Sequence, residues 1–362
     1  MKFSLQLAVS NPMKPNVDPH RAGAAFSRAS AFMQMALLLV SLAGPLIPQS
    51  AAGNEGAQLT LVKKIPLPKV SGRIDHFTFD SRNNRLLVAA LGNDTLEIID
   101  VEKGAVIHEI TGFAHPQGVG FAESGHYIVA NAEDGVCRLF DANTLDETGR
   151  VDLKDDADNI RYDSAAKLFW VGYGDGGLAA IDPASGRQVA DIKFAGHPES
   201  FQLEAKGTRI FINVPDEQEI IVADRQQKTV MAHWPFKDAG ANFPMALDKG
   251  NHRLFVGCRH PSKLVVINTD DGATVAAVDI VGDTDDVFFD AARHCIYASG
   301  GEGFITVVSQ TSPDSYAVVD KIATAPGART SFFDADRSVL FLAVPHRFTQ
   351  SAEVRVYRVG SP

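Results

Sequence analysis

Short apolar stretches alternate with polar turns along most of the chain. After residue 55, a short apolar strand, a polar turn and a second, more apolar strand recur, followed by a strand that ends near Asp and a turn that contains Gly. These stretches have the length of β-strands, and no segment in this region shows a sustained helical period. The pattern therefore predicts an all-β protein that is built from repeated units.

The repeating unit is about forty residues long. It is aligned on the large apolar residue before the first turn of each copy, which is Phe79, Phe121, Tyr162, Leu203, Leu247, Phe289 and Phe333. The successive spacings are 42, 41, 41, 44, 42 and 44 residues. Seven copies at this spacing, each with four short strands, predict a seven-bladed β-propeller with four-stranded antiparallel blades.

The two ends of the repeat region are complementary. Residues 58–68 have the pattern of a fourth strand with no blade before it, and the last copy stops at a third strand, residues 353–359. We therefore expect the N-terminal strand to complete the last blade and to close the ring. Closure hides sheet edges that would otherwise pair with other chains. It predicts that residues 53–362 form a single domain.

The first 52 residues differ from the repeats. Residues 29–54 carry no charge, and residues 31–47 are an apolar run that small residues follow near Ala52. Basic residues precede this run in a long n-region. The arrangement predicts a signal peptide over residues 1–52 and a periplasmic or secreted protein. The alternative is an uncleaved membrane anchor, because 17 apolar residues nearly span a bilayer.

Composition narrows the class of protein further. The chain has 362 residues, of which 45% are hydrophobic and 22% are charged, which is typical of a globular protein. Cys137, Cys258 and Cys295 are isolated in sequence, so we expect buried core residues and not a zinc site. Residues 1–52 carry four basic residues and one acidic residue, so their removal changes the formal net charge from −10 to −13. Such acidity argues against a nucleic-acid partner.

One copy of the repeat carries a familiar motif. Residues 127–131 read YIVAN, and a Gly turn and the sequence RLFD follow them. This segment resembles the YVTN repeat of YncE-like β-propellers, and the similarity extends over roughly residues 58–359. Other copies depart from the motif. The resemblance implies the seven-bladed fold but not one function, because similar propellers include lactonase-like hydrolases, lyases and binding proteins.

Polar residues concentrate on one predicted face of the propeller. The loops that enter the first strand of each blade meet at the mouth of the central channel, so their side chains are expected to converge although they are distant in sequence. The loops between second and third strands lie on the same face, and one of them contributes His346. The candidate ligand-binding residues are Arg73, Asp75, His76, His115, Asp158, His197, Glu199, Asp285, Asp286, Arg329 and His346.

Two functions fit this mouth, and we favour the first because no catalytic residues occur at a specific spacing. The first is binding of a small-molecule ligand or an extracytoplasmic protein partner. The second is a metal-assisted, lactonase-like hydrolase or lyase that acts on a small anionic or sugar-derived substrate. In that case His76, His115 and His197, with nearby carboxylates, would hold Ca²⁺, Mg²⁺ or Zn²⁺ or would transfer protons. Arg73 or Arg329 would stabilise the developing anion.

Overall fold

A computed structural model describes residues 59–237 and 239–360 of the chain. The predicted signal peptide and its alternative, a membrane anchor, lie outside the described residues. The described chain forms seven sheets of four antiparallel strands, which confirms the predicted seven-bladed β-propeller. It also contains a short 3-10 turn at Leu91–Asn93. No helix in the described residues has the length and apolarity needed to cross a membrane.

Each blade contributes its first strand to the wall of the central channel, and the other three strands follow outward. The first strands of blades one to seven are β2 (Phe77–Asp80), β6 (Pro116–Ala122), β10 (Ala157–Asp163), β14 (Ser200–Leu203), β18 (Gly240–Asp248), β22 (Thr284–Asp290) and β26 (Ser331–Asp334). The second strands are β3 (Arg85–Ala90), β7 (His126–Asn131), β11 (Leu168–Tyr173), β15 (Arg209–Val214), β19 (Arg253–His260), β23 (Cys295–Gly300) and β27 (Val339–Val344). The third strands are β4 (Thr95–Asp100), β8 (Val136–Asp141), β12 (Gly177–Asp182), β16 (Glu219–Asp224), β20 (Ser262–Asn268), β24 (Phe304–Ser312) and β28 (Glu353–Val359). The outermost strands are β5 (Ala105–Thr111), β9 (Glu147–Asp152), β13 (Arg187–Lys193), β17 (Thr229–Pro235), β21 (Thr274–Asp279), β25 (Ser315–Ala323) and, in blade seven, β1 (Leu59–Pro66).

The N-terminal strand closes the ring as predicted. β1 pairs antiparallel with β28, in a register that places Leu59 opposite Val359 and Ile65 opposite Val354. Ile65 is fully buried in a cluster that joins the first and last blades. The aromatic rings of Phe79 in blade one and Phe341 in blade seven stack there, with centroids 6.1 Å apart. The two chain ends of the propeller are therefore joined by backbone pairing and by a shared apolar core.

Apolar residues of the second and third strands pack between neighbouring blades. Tyr127 and Trp170 are among the largest fully buried side chains, and the three cysteines are buried as expected. At the face opposite the candidate site, an Asp that ends the first strand accepts hydrogen bonds from the turn that follows. Asp80 Oδ1, for example, accepts from the backbone N–H groups of Arg82 and Asn83 at 2.9 and 3.1 Å. These turns are therefore fixed by backbone capping.

The first strands become irregular near the channel mouth. Their pairing with the second strands shifts at Ala157/Ile160, at Asn242/Met245 and at Thr284/Asp286. Such bulges change the direction of side chains along a strand. They bring consecutive polar residues, such as Asp158 and Asn159, onto the wall of one cavity.

Candidate functional site

Two connected hollows define the candidate site. A cavity of about 400 Å³ follows the central channel, and a hollow of about 250 Å³ opens at its mouth. Arg73, Asp158, Glu199 and Asp285 line both of them. The sequence-predicted residues Asp75, His76 and Asp286 line the channel, and His197 and Arg329 line the mouth.

The repeat arranges the wall of these hollows in tiers. We name the positions four, three and one residues before the aligned apolar residue of each blade the mouth tier, the middle tier and the inner tier. The mouth tier consists of Asp75, Gln117, Asp158, Glu199, Phe243, Asp285 and Arg329. The middle tier consists of His76, Gly118, Asn159, Ser200, Pro244, Asp286 and Thr330. The inner tier consists of Thr78, Gly120, Arg161, Gln202, Ala246, Phe288 and Phe332.

One side of the mouth is a network of ion pairs, which we name the paired side. Asp285 lies at its centre: Arg259 donates to its Oδ1, and Arg329 Nε lies 2.9 Å from its Oδ2. Arg329 Nη1 also donates to Asp283 Oδ1 at 3.0 Å, and Arg73 Nη2 lies 2.7 Å from Asp75 Oδ2. The three arginines of the mouth are therefore already neutralised and held in place by carboxylates.

The other side of the mouth carries carboxyl groups that form no direct ion pair with Lys or Arg in the described part of the chain. We name it the acidic side, and it consists of Asp156, Asp158 and Glu199 from blades three and four. Among the described residues, no Lys or Arg nitrogen lies within 4.0 Å of these carboxylates. The nearest ionisable nitrogens belong to histidines, with His197 Nδ1 at 3.9 Å from Asp156 and His76 Nε2 at 3.7 Å from Asp158.

The acidic side therefore has a strong tendency to hold protons. Burial, together with repulsion from Asp285, raises the pKa of Glu199 to about 7. Burial and the neighbouring Asp75 raise the pKa of Asp158 well above its ordinary value. The pKa of Asp156 is also raised, mainly by burial. A positive charge placed beside these carboxylates would reverse these shifts, because it favours the ionised forms.

His76 lies in the middle tier, between carboxylates from three blades. Its Nε2 is 3.6 Å from Asp75 Oδ1 and its Nδ1 is 3.8 Å from Asp286 Oδ1. Asn159 Nδ2 lies 3.2 Å from His76 Nε2, so the amide can donate to a neutral imidazole. Burial lowers the pKa of His76, and Asp75 opposes that decrease. Within the described residues, Asp75 Oδ1 and Asp158 Oδ1 accept no hydrogen bond, so this part of the channel is rich in acceptors and poor in donors.

Two sequence-predicted residues lie away from the channel. His115 precedes β6 with a positive φ of 53°, and its half-exposed side chain lies beside Glu133 in the loop between β7 and β8. His346 is exposed in the loop between β27 and β28. Neither side chain lines the channel or the mouth. For His115 the reason is its local backbone conformation, which the spacing of the repeats does not reveal.

The structure does not bring His76, His115 and His197 together as metal ligands. His76 is in the middle tier, His115 is outside the mouth, and His197 Nδ1 donates to the carbonyl of Gly174 at 2.8 Å. In the described part of the chain, no group of three His, Cys, Asp or Glu side chains is arranged to hold a metal ion. The predicted three-histidine set for Ca²⁺, Mg²⁺ or Zn²⁺ is thus not assembled.

Several residues of the site were not singled out from the sequence as candidates. Gln117 and Phe243 belong to the mouth tier, Asn159 to the middle tier and Arg161 to the inner tier. A comparison of equivalent repeat positions is the signal that finds them. At the inner-tier position, six blades carry uncharged residues and blade three carries Arg161.

The raised pKa of Glu199 predicts a pH-dependent effect on stability. A carboxyl with a higher pKa in the folded state destabilises that state as pH rises from its unfolded value, 4.5, through about 7. We expect Glu199→Gln to unfold at the same urea concentration as the parent near pH 4. Near pH 8 the variant should be more stable by about 1–2 kcal/mol.

The control for this comparison is Glu123→Gln, an exposed residue on the opposite face. It should leave the pH dependence of unfolding unchanged. Identical urea midpoints for Glu199→Gln and the parent at both pH values would contradict the environment described for Glu199.

Comparisons with known proteins establish the fold but no family or function. No known family model matches the chain, and no curated protein matches it. A chain in a solved structure titled "Crystal Structure of Mitotic Checkpoint Complex" is similar to it with a TM-score of 0.71 and 12% sequence identity. The similarity covers 90% of this chain and 99% of that chain. It supports the propeller architecture, and the closer resemblance to YncE-like propellers stays a prediction.

Proposed function

We propose that this chain is a binding protein that takes a small, polar, cation-bearing ligand at the mouth of its central channel. The observation that carries the proposal is the acidic side, where Asp156, Asp158 and Glu199 line a hollow. Arginines of the paired side line the same hollow, but among the described residues no Lys or Arg nitrogen lies within 4.0 Å of these three carboxylates. Asp158 is buried and Glu199 is half-buried, and carboxylates in such positions are costly to ionise until a cation joins them. A ligand with an ammonium group supplies that cation.

The dimensions and rigidity of the site support a small ligand. The channel cavity, at about 400 Å³, is in the range of small-molecule pockets. Opposite the acidic side, the paired side offers arginines that Asp283 and Asp285 already hold in position. Because these arginines are neutralised locally, they supply hydrogen-bond donors to the ligand without repelling its cation.

The predicted export fits the same proposal. We infer a periplasmic or secreted protein from the N-terminal charge and apolar pattern. Binding of a protein partner is the second candidate, since a propeller of the same fold belongs to a solved protein complex. For the hydrolase or lyase alternative, the described residues provide no metal-ligand group.

The test is a calorimetric titration of the protein with pentylamine and with pentanoate near pH 8. We expect pentylamine to bind and pentanoate to bind at least tenfold more weakly, because the free carboxylates repel an anion. Glu199→Gln should weaken pentylamine binding about tenfold, which corresponds to one charge-assisted contact. The exposed matched control, Glu123→Gln, should bind like the parent. Tighter binding of pentanoate than of pentylamine would refute the proposal.

A further inference from the structure

A single basic side chain stands on the inner tier, deeper in the channel than the acidic side. Arg161 belongs to β10, three residues after Asp158, and both line the same cavity. At the equivalent position the other six blades carry Thr78, Gly120, Gln202, Ala246, Phe288 and Phe332. An Arg that faces the core or the channel is costly to bury. Because only one of the seven equivalent positions carries one, we expect an anionic partner for it.

The structure leaves most of the donors of Arg161 available. A guanidinium has five N–H donors, and the hydrogen bond recorded for Arg161 runs from Nη1 to its neighbour's carbonyl, Ile160 O, at 2.8 Å. Its carbon Cζ lies 5.7 Å from the ring centroid of Phe201. Among the described residues, no carboxylate oxygen lies within 4.0 Å of it. This contrasts with Arg73, Arg259 and Arg329, each of which is in an ion pair.

Two carboxylates, Asp286 and Asp158, lie near Arg161 without forming an ion pair with it. Asp286 and Asp158 act on Arg161 electrostatically from a distance. Asp286 Oδ2 accepts from the backbone N–H of Ser331 at 2.7 Å, and its Oδ1 faces His76. On the inner tier itself, Phe288 and Phe332 provide apolar wall. An anion that reaches Arg161 therefore meets a fork of donors in a half-buried position, where an ion pair is stronger than in water.

We propose that Arg161 forms a second subsite, which binds the anionic end of the ligand whose cationic end occupies the acidic side. The ligand class is then bipolar, with an ammonium group and a carboxylate or similar anion joined by a short chain. This inference rests on the proposed function for the location of the ammonium group. Three residues lead from Asp158 to Arg161 along β10, and the bulge between Ala157 and Ile160 shortens that span to about two strand steps, roughly 7 Å at about 3.3 Å per residue. That spacing suits an ω-amino carboxylate.

The experiment compares ligands that differ at one end. The unmodified protein is titrated with ω-amino carboxylates of increasing chain length and with alkylamines of the same length. At the best length, we expect the amino carboxylate to bind at least tenfold more tightly than the amine. Arg161→Gln should remove this advantage and leave the affinity for the amine within about twofold. Arg161→Lys keeps the charge but loses the fork, so it should retain part of the advantage.

Controls separate the two proposals from each other and from misfolding. Arg187→Gln, at an exposed position in the same blade, should keep the full advantage of the amino carboxylate. Thermal unfolding of each variant reports whether it is folded. If Arg161→Gln is not folded, Arg161→Lys is used for the test. Equal binding of amine and amino carboxylate at every length would overturn the anion subsite while the proposed function stands. Failure of every amine to bind would overturn both.

Discussion

Ile65→Asp is expected to be the most damaging single substitution outside the site, with a loss of about 4 kcal/mol or more in the free energy of unfolding. Ile65 is fully buried in β1, opposite Val354 of β28, and packs in the cluster that joins blades one and seven. A carboxylate there has no cationic partner and must be desolvated. The substitution destabilises blade seven, which is assembled from both ends of the propeller. We therefore expect the whole ring to unfold.

The same strand provides the control. Val62 lies three residues earlier in β1 and is 46% exposed, so Val62→Asp should change stability by less than about 1 kcal/mol. Urea unfolding followed by tryptophan fluorescence measures both variants, because Trp170 and Trp234 lie in blades three and four, away from the closure. A cooperative transition of Ile65→Asp at the parent's midpoint would show that the blades hold together without β1.

The fold was predictable from the sequence because its signal is repeated seven times. Each copy places an apolar residue such as Phe79 or Phe333 at the same point of a first strand, so an error in one copy does not disturb the count. Closure was predictable for a related reason: residues 58–68 and 353–359 are each an incomplete blade. Both inferences depend on pattern and length, which a single sequence displays fully.

The candidate site was predictable only in part. The topology predicted that Asp158, Glu199, Asp285 and Arg329 would meet at one mouth, because the loop that enters each blade must end beside the channel, and all four line the same hollow. It did not predict the outward direction of His115, which follows from a positive φ. It also did not predict which carboxylates pair with arginines, because side chains from separate blades, such as Arg259 and Asp285, meet only in three dimensions.

Asp285 is the residue on which the paired side of the mouth depends most. Its carboxylate is 11% exposed and accepts from Arg259 while lying 2.9 Å from Arg329 Nε; Arg73 Nη2 is 4.0 Å away. Removing one partner of a buried ion pair costs more than the pair contributes, because the remaining charges stay desolvated and are balanced only by the carboxylates that are left, here Asp283 and Asp75. Here the remaining charges would be guanidinium groups that converge on one point.

Asp285→Asn is therefore expected to lower the free energy of unfolding by about 3 kcal/mol, measured by urea titration. Inorganic sulfate should restore part of this loss, because the released arginines form a site for an anion. Asp283→Asn is the matched control: Asp283 also contacts Arg259 and Arg329, but its side chain is 42% exposed. That variant should lose no more than about 1 kcal/mol and respond little to sulfate. Equal losses of stability in the two variants would mean that the burial of Asp285 does not determine how much the ion pairs of the paired side contribute. The stability data would then give no reason to distinguish a paired side from an acidic side.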